Sequence, residues 1–589
     1  MSVRTERRGP PPAVLALGGY VAITVVLFGF HVIPHMTTVI VGNRADPQDP
    51  FAISWFLRWW PYALSHRIDP LVTHIVWAPG GFRLGGTTSV PGPTAALWPI
   101  TITAGPVAAY NVAMLAAPAL SAWSAFILCR SIVGRTWPAF AGGYVFGFST
   151  YELGQLSAHL NLSLTFVVPL MALLVVLRLQ GRVGPAAFVA LEAAAMAAQF
   201  LIAPEILATA VAMGGFALLL VMAFGEPDLR RRALNAAGLL AAASMVAALA
   251  VSPVLIDLVR QSRTLSLRNP LYATDLANLV VPTPITLLHT AWTTRVAARF
   301  AGNFAETGSY VGLPLLVVAA VFATRFRRSR GAWLVVAVAA AALVASLGPH
   351  LLAAGHRSVP LPWAILRRLP LLRFALPERF MLYVFLLLGV CVAMLLADPG
   401  RVGRARTGMV ALAVVSAVSL LPNVRAPFWH APVPATPVPP DSLNGRTVLF
   451  VPFGRAGSQA MLWQAESGMS FRIVGGYLSC EVPPEYERWQ AVVALLRNRP
   501  GKTNRPEMRT FLVAHHVEVI VLTGEARVRW TGFFASMGLR PRELGEATMF
   551  AVPSGIPLGN VPPPSAARPL NDCNTVTRPG ASGIQKRHG

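Results

Sequence analysis

Long apolar runs recur along residues 1–422, and they constrain this chain more than any other feature. Eleven stand out, at 14–33, 105–129, 137–149, 159–177, 185–201, 206–224, 234–255, 310–324, 331–348, 380–397 and 408–422. Crossing about 30 Å of hydrocarbon takes roughly 20 apolar residues in a helix. In lipid every backbone N–H and C=O must be paired within the protein, so repeated runs of this kind mean a helical bundle. The runs 137–149 and 408–422 are short for a crossing. Composition agrees: of 589 residues, 54% are hydrophobic and 13% charged, against about 25% charged in an average soluble domain. The formal charge of +24 invites a nucleic-acid partner. The arginines answer that, because many sit in short loops between apolar runs, and nucleic acid is excluded as a partner. The first run follows Arg4, Arg7 and Arg8 and lacks a small-x-small cleavage pattern, so an uncleaved anchor is expected.

Charge also predicts orientation, because arginine and lysine concentrate in cytoplasmic loops. With the N-terminus in the cytoplasm, the inner segments (1–13, 130–136, 178–184, 225–233, 325–330 and 398–407) hold 17 Arg in 52 residues. The outer segments (34–104, 150–158, 202–205, 256–309 and 349–379) hold 14 Arg in 169 residues, about a fourfold lower density. An odd number of spans then places everything after 422 outside. The expected protein is a multi-pass plasma-membrane protein of about eleven transmembrane helices, with a cytoplasmic N-terminus and its chemistry on the outer face. Most loop carboxylates lie there, including Asp46, Asp49, Glu152, Glu205, Asp257, Glu306 and Glu378.

Composition changes after Leu421. Residues 423–440 are rich in proline and read as an extended linker. Strand-like runs follow at Thr447–Pro452, Phe471–Val474, Val517–Leu522 and Thr548–Val552, with helix-like runs near 484–498, 506–515 and 527–538. That alternation predicts a small extracytoplasmic α/β domain over 441–555, and 556–589 reads as a disordered tail. Gly475-Gly476 has no nucleotide-loop context, and the adjacent His515-His516 pair would not share a helix face. Four cysteines do not make a disulfide scaffold, and no spacing suggests zinc. Cys129 and Cys391 read as small buried hydrophobes, whereas Cys480 and Cys573 can pair if the tail is extracytoplasmic.

Chemistry is best placed in the first outer loop. Asp46-Pro47-Gln48-Asp49-Pro50 leads into Phe51–Trp60, an aromatic amphipathic segment whose Trp55, Trp59 and Trp60 suit a membrane interface. Asp49 can cap that helix, with Pro50 at its first position. A carboxylate beside apolar surface above the bilayer also tends towards a raised pKa and can serve as a general base. The Asp46/Asp49 pair can alternatively bind a divalent cation, Mg or Mn, carrying phosphate. These readings stay open on the residues alone.

Several spaced motifs carry a resemblance. They are Asp46-Pro-x-Asp49-Pro with Trp55 and Trp59, Ala78-Pro79-Gly80-Gly81, Gly105-Pro106 with Tyr110-Asn111, and Phe146-Gly147-Phe148-Ser149-x-Tyr151. His159-Leu160-Asn161, Pro204-Glu205, Pro282-Thr283, the stretch from Gly302-Asn303 through Glu306 to Pro314, and Pro377-Glu378-Arg379-Phe380 continue it. Asn444-Gly445, Val451-Pro452 and Gly475-Gly476-Tyr477 carry it into the tail. Over roughly 14–552 the sequence resembles bacterial, mainly actinobacterial, membrane proteins of the GT-C type. The resemblance implies a GT-C-like fold and transfer of a sugar from a polyprenyl-phosphate donor to a cell-envelope glycan, lipid or protein at the outer leaflet. It also implies a base or metal-linked acid in the first outer loop, here Asp49 and Asp46. Their spacing is D-x-x-D rather than D-x-D, which leaves metal dependence open.

Other candidates follow from residue type and place. His159 and Asn161 begin a span near Glu152; Glu205 follows Pro204 in a tight outer turn. Glu306 is expected either to pair with Arg295 or Arg299 or to bind acceptor. Arg367, Arg368, Arg373 and Arg379 cluster outside, where a guanidinium fork suits a donor phosphate or ordinary lipid headgroups equally. A lipid or glycan transporter would show charged residues near mid-membrane in several spans; Glu192 is essentially the one such acid. A non-catalytic envelope scaffold remains the other alternative to an enzyme.

Overall fold

The structure is a computed structural model that describes residues 11–262, 272–361, 363, 368, 375–553, 555 and 570–575. The chain divides into two compact units. One comprises residues 1–45, 111–252 and 266–431, the other 46–110, 253–265 and 432–589. Composition suggested a division near 422; instead the segment 46–110 leaves the helical unit and folds with the tail.

The first unit is helical. Among the described residues seven helices are long and apolar enough to cross a membrane: Pro12–His35, Pro106–Val133, Leu160–Leu179, Pro185–Ile202, Pro204–Phe224, Pro227–Ala250 and Pro377–Ala397. The other four of the eleven expected runs are helices of 12 to 17 residues, at Thr136–Gly147, Gly312–Arg325, Arg330–Ser346 and Gly403–Ser419. At 1.5 Å per residue these span only about 18–26 Å. Local chemistry cuts them short. Thr136–Gly147 stops where Ser149 caps the next helix by accepting from the Glu152 N–H, and Gly312–Arg325 runs into a basic cluster.

Of the seven long apolar helices, the one that contains Met381–Ala397 is the most enclosed. It lies so close to Thr136–Gly147 that a Cβ on Gly142 would sit 2.5 Å from the Gly389 carbonyl oxygen, and the reverse holds equally. Small residues permit this approach where lipid supplies no hydrophobic drive to associate. Asn111, fully buried, fixes the chain after the first helix: it accepts from the Val41 N–H (2.8 Å) and donates to the carbonyls of Met36 (2.9 Å) and Val39 (2.7 Å). The proline-rich stretch is not free throughout its length. Trp429 is buried and donates to the Asn423 carbonyl (2.7 Å), and Phe428 packs on Phe304.

The second unit is built on a five-stranded sheet: β1 (Thr447–Val451), β2 (Arg472–Ile473), β3 (Val519–Thr523), β4 (Pro541–Leu544) and β5 (Ala547–Ala551), in the order β4-β5-β3-β1-β2. β1 runs parallel to β2 and β3, and β5 is antiparallel to β3 and β4. The first loop extends this sheet. Ile473 N–H donates to Ile75 (2.8 Å), Ala78 N–H to Ile473 (3.0 Å) and Trp77 N–H to Gly475 (2.9 Å). Trp55 and Trp59 are buried and stacked, with Trp55 Nε1 donating to Gln464 (2.6 Å). They are core residues of this unit, not interface anchors, because the tail covers the aromatic face that the sequence leaves apparently bare.

Of the expected disordered tail, residues 570–575 are described. They hold a short helix, Asp572–Thr575, and a disulfide joins Cys573 to Cys480.

Candidate functional site

The expected site residues fall into two groups, one in each unit. In the second unit the chain enters the helix Gln48–Ser65 through Pro47, and no side chain caps it. Asp49 therefore lies inside the first turn rather than at the cap, where the helix dipole still favours its charge. Asp46 sits just before the helix. Both of its carboxylate oxygens accept from Arg455 Nη2, at 2.8 Å each. Arg455 projects from the Gly454–Gly457 turn after β1, and its guanidinium lies 5.7 Å from the centre of the Tyr477 ring. Asp49 lies within electrostatic reach of the Tyr477 hydroxyl. Burial, then the negative charge of Asp49, pushes the Tyr477 hydroxyl up from its ordinary value, with Arg455 working in the opposite sense. It is a neutral phenol at physiological pH.

The backbone explains how Tyr477 gets there. Gly475 and Gly476 have φ of +111° and +136°, and added Cβ atoms would lie 2.4 Å from the Phe453 ring and from Val76. Only glycine allows the first loop to pass that close. Two carboxylates, a guanidinium and a neutral phenol thus meet from sequence positions near 46 and near 455–477.

A divalent cation held by Asp46 and Asp49 would have to compete with Arg455. Both Asp46 oxygens already face that fixed positive charge. A hard cation would need water and substrate phosphate oxygens to complete its shell there. The arrangement suits a carboxylate acting as base beside an ion pair.

The first unit gathers most of the remaining candidates. Arg379 gives its fork to two carboxylates: Nη2 to Glu306 (2.6 Å), Nε to Glu306 (3.2 Å) and Nη1 to Glu205. Glu205 also accepts from the Leu376 N–H (3.0 Å). Glu306 is thus paired with Arg379, not with Arg295 or Arg299. Burial opposes its charge, but the Arg379 guanidinium together with His159 and Gln155 outweighs burial and holds the carboxyl below its usual range. His159 Nδ1 meets Gln155 Oε1 at 2.8 Å, and Gln155 Nε2 donates to the Ala305 carbonyl (3.2 Å). Asn303 caps the turn at Glu306 (3.1 Å), and Thr150 donates to the carbonyls of Gly308 and Tyr310 (2.8 Å each). Asn161 is half-buried in the short helix Leu160–Ser163. Arg368 is exposed, whereas Arg367 and Arg373 lie outside the described residues.

Glu152 is not a loop acid in solvent. It is buried, with Oε2 accepting from Thr165 (3.2 Å), and burial pushes its carboxyl well above the usual range. The sequence reading missed Arg455. The available signal was its place in a Gly-x-x-Gly turn directly after a strand.

The class is now defined: a polytopic membrane protein with the fold of membrane glycosyltransferases of the GT-C type. The arabinofuranosyltransferase AftD from Mycobacteria superposes with a TM-score of 0.58 at 15% identity, over 93% of this chain and 40% of that one. One form of its R1389S mutant gives 0.54 at 14% identity, over 92% and 41%. The chain therefore spans about two-fifths of the AftD length. The archaeal oligosaccharyltransferase AglB from Archaeoglobus fulgidus, with an inhibitory peptide and a dolichol-phosphate, reaches 0.48 at 12% identity over 93% of this chain and 75% of that one, too low to add to the fold assignment. No curated protein matches the sequence. The chain belongs to the family described as a domain of unknown function, DUF6311, whose model matches residues 16–420.

Proposed function

We propose that this chain is a membrane glycosyltransferase that moves a sugar from a polyprenyl-phosphate donor to a glycan, lipid or protein acceptor of the cell envelope at the outer face. The observation that carries the reading is the meeting of Asp46 and Asp49 with Arg455 and Tyr477 in a chain of this fold. Asp49 takes the proton of the acceptor hydroxyl. That oxygen forms the new bond to the anomeric carbon as the anomeric C–O bond of the donor breaks, and polyprenyl phosphate leaves with the electron pair. Asp46 and Arg455 neutralise one another and fix the entrance to the helix that carries Asp49. Arg367, Arg368 and Arg373 remain the proposed phosphate ligands on residue chemistry alone. Arg379 is assigned a positioning role, because its fork is occupied.

The outer-face placement is supported by the arginine asymmetry and by the Cys480–Cys573 disulfide, since such bonds persist in oxidising compartments. The test is Asp49→Asn in the native host and in purified full-length protein given polyprenyl-phosphate sugars. Losing a general base costs on the order of 10²–10⁴-fold, so envelope glycans change and transfer collapses at normal expression. Wild-type transfer by the variant would refute the assignment.

A further inference from the structure

The described C-terminal segment, residues 570–575, is fastened onto the candidate site rather than onto a neutral face. We infer that this strap is a positioning element for Arg455, and through it for Asp46; the inference rests on reading the Asp46/Asp49 cluster as the reacting site. Asp572 is buried, and its carboxylate accepts from the Arg455 backbone N–H. The approach depends on Gly454, where φ is +64° and a Cβ would lie 2.4 Å from Asp572 Oδ2. Three further ties hold the strap. The Asp572 N–H donates to Cys480 (2.8 Å), the Leu570 N–H donates to Glu487 (2.8 Å), and Asn571 bridges Glu481. The disulfide closes a separation of 93 residues, and Cys573 Sγ lies 4.0 Å from the Tyr477 hydroxyl.

These contacts converge on the two tail residues that face the first-loop aspartates. A staple for the sheet alone would have no reason to end there. Arg455 holds Asp46 through its side chain while Asp572 holds Arg455 through its backbone. Freeing the backbone lets the guanidinium drift from both carboxylate oxygens.

Full-length Asp572→Ala, Asp572→Asn and the double variant Cys480→Ser/Cys573→Ser separate the outcomes. Backbone amide exchange is followed in the peptide 453–458. It accelerates about tenfold in Asp572→Ala, the equivalent of one lost charged hydrogen bond, and also in the double variant. It stays near wild type in Asp572→Asn, whose amide oxygen accepts the same N–H. In the transfer assay, Asp572→Ala lowers kcat with KM little changed, and Asp572→Asn restores it. Unchanged exchange in Asp572→Ala overturns the inference, and so does faster exchange with unaltered kcat. If the double variant fails to fold, Asp572→Ala still decides, because it keeps the disulfide. Absence of transfer by the wild type would refute the enzyme reading alone, since exchange still reads the strap.

Discussion

Arg379→Met tests the buried network of the first unit most sharply. The Arg379 side chain is 13% exposed, Glu306 1% and Glu205 22%. Removing the one cation strands two carboxylates, and breaking a buried pair from one side costs about 3–5 kcal/mol. Glu205 is partly wet and keeps the Leu376 N–H, so the lower end, about 3 kcal/mol, is expected. The pH dependence carries a sign. In the wild type Glu306 is held below its ordinary range, so its contribution is present above the unfolded carboxylate pKa and is lost as pH falls through the folded value. Without Arg379, burial is opposed only by the weaker effects of His159 and Gln155 and raises the folded pKa. The stability deficit then shrinks as pH is lowered from neutral towards 5. Thermal unfolding of full-length protein in detergent at pH 7.5 and 5.5 measures both. The triple variant Glu205→Gln/Arg379→Met/Glu306→Gln recovers much of the loss, because no charge is stranded. A deficit of the same size at both pH values, or none at all, would refute the argument.

Two other expectations follow from burial. Glu152→Gln matches the wild type in acid and unfolds at a higher temperature at neutral pH, because burial keeps the native carboxyl protonated while the unfolded chain ionises; the raised folded pKa makes the wild type lose stability as pH rises through it, and the glutamine variant does not. A wild type whose unfolding is flat with pH alongside an unstable glutamine variant would contradict this. His515 packs against Tyr486, Trp489 and Phe511, and burial pushes its imidazole down to about 4. The unfolded chain takes up that proton first, so stability falls between about pH 6.5 and 4, by roughly 3 kcal/mol in all. His515→Phe flattens that limb of a pH series followed by tryptophan fluorescence, and equal acid sensitivity in both proteins would count against it.

The helices were legible because hydrophobic length is a local property: helix covers most of each of the eleven apolar runs, although 159–177 and 234–255 are each divided between two helices. Their ends were not, because Ser149 and the Arg325 cluster end helices by capping and charge rather than by loss of apolar residues. β1 and β3 lie where β-branched runs announce them and β5 where a short apolar run does, whereas β4, Pro541-Arg542-Glu543-Leu544, is an exposed polar edge strand with no alternation to read. Asp46 and Asp49 could be singled out by residue type and loop position. Arg455 could not, since an arginine among 47 says nothing until the fold sets it against a carboxylate. The same holds for Arg379, whose type suggested a phosphate but whose partners are Glu205 and Glu306. Trp55 and Trp59 misled for a related reason: an aromatic helix face looks alike whether lipid or a tail covers it.

The second unit constrains sidedness. Residues 75–78 pair directly with 473–475, Trp55 donates to Gln464, and Asp46 holds Arg455. No bilayer can pass between segments joined in this way, so the first loop and the tail share one side of the membrane. One label therefore locates both. Val528 is 88% exposed on the tail helix Gly524–Ala535, while Cys129 and Cys391 are buried and the other two cysteines are paired. Val528→Cys thus presents the accessible thiol. A membrane-impermeant maleimide applied to intact cells should label it as fully as after lysis. Labelling only after lysis would put Asp49 in the cytoplasm, away from a donor presented at the outer leaflet, and the proposed reaction would fail whatever the geometry of the carboxylates.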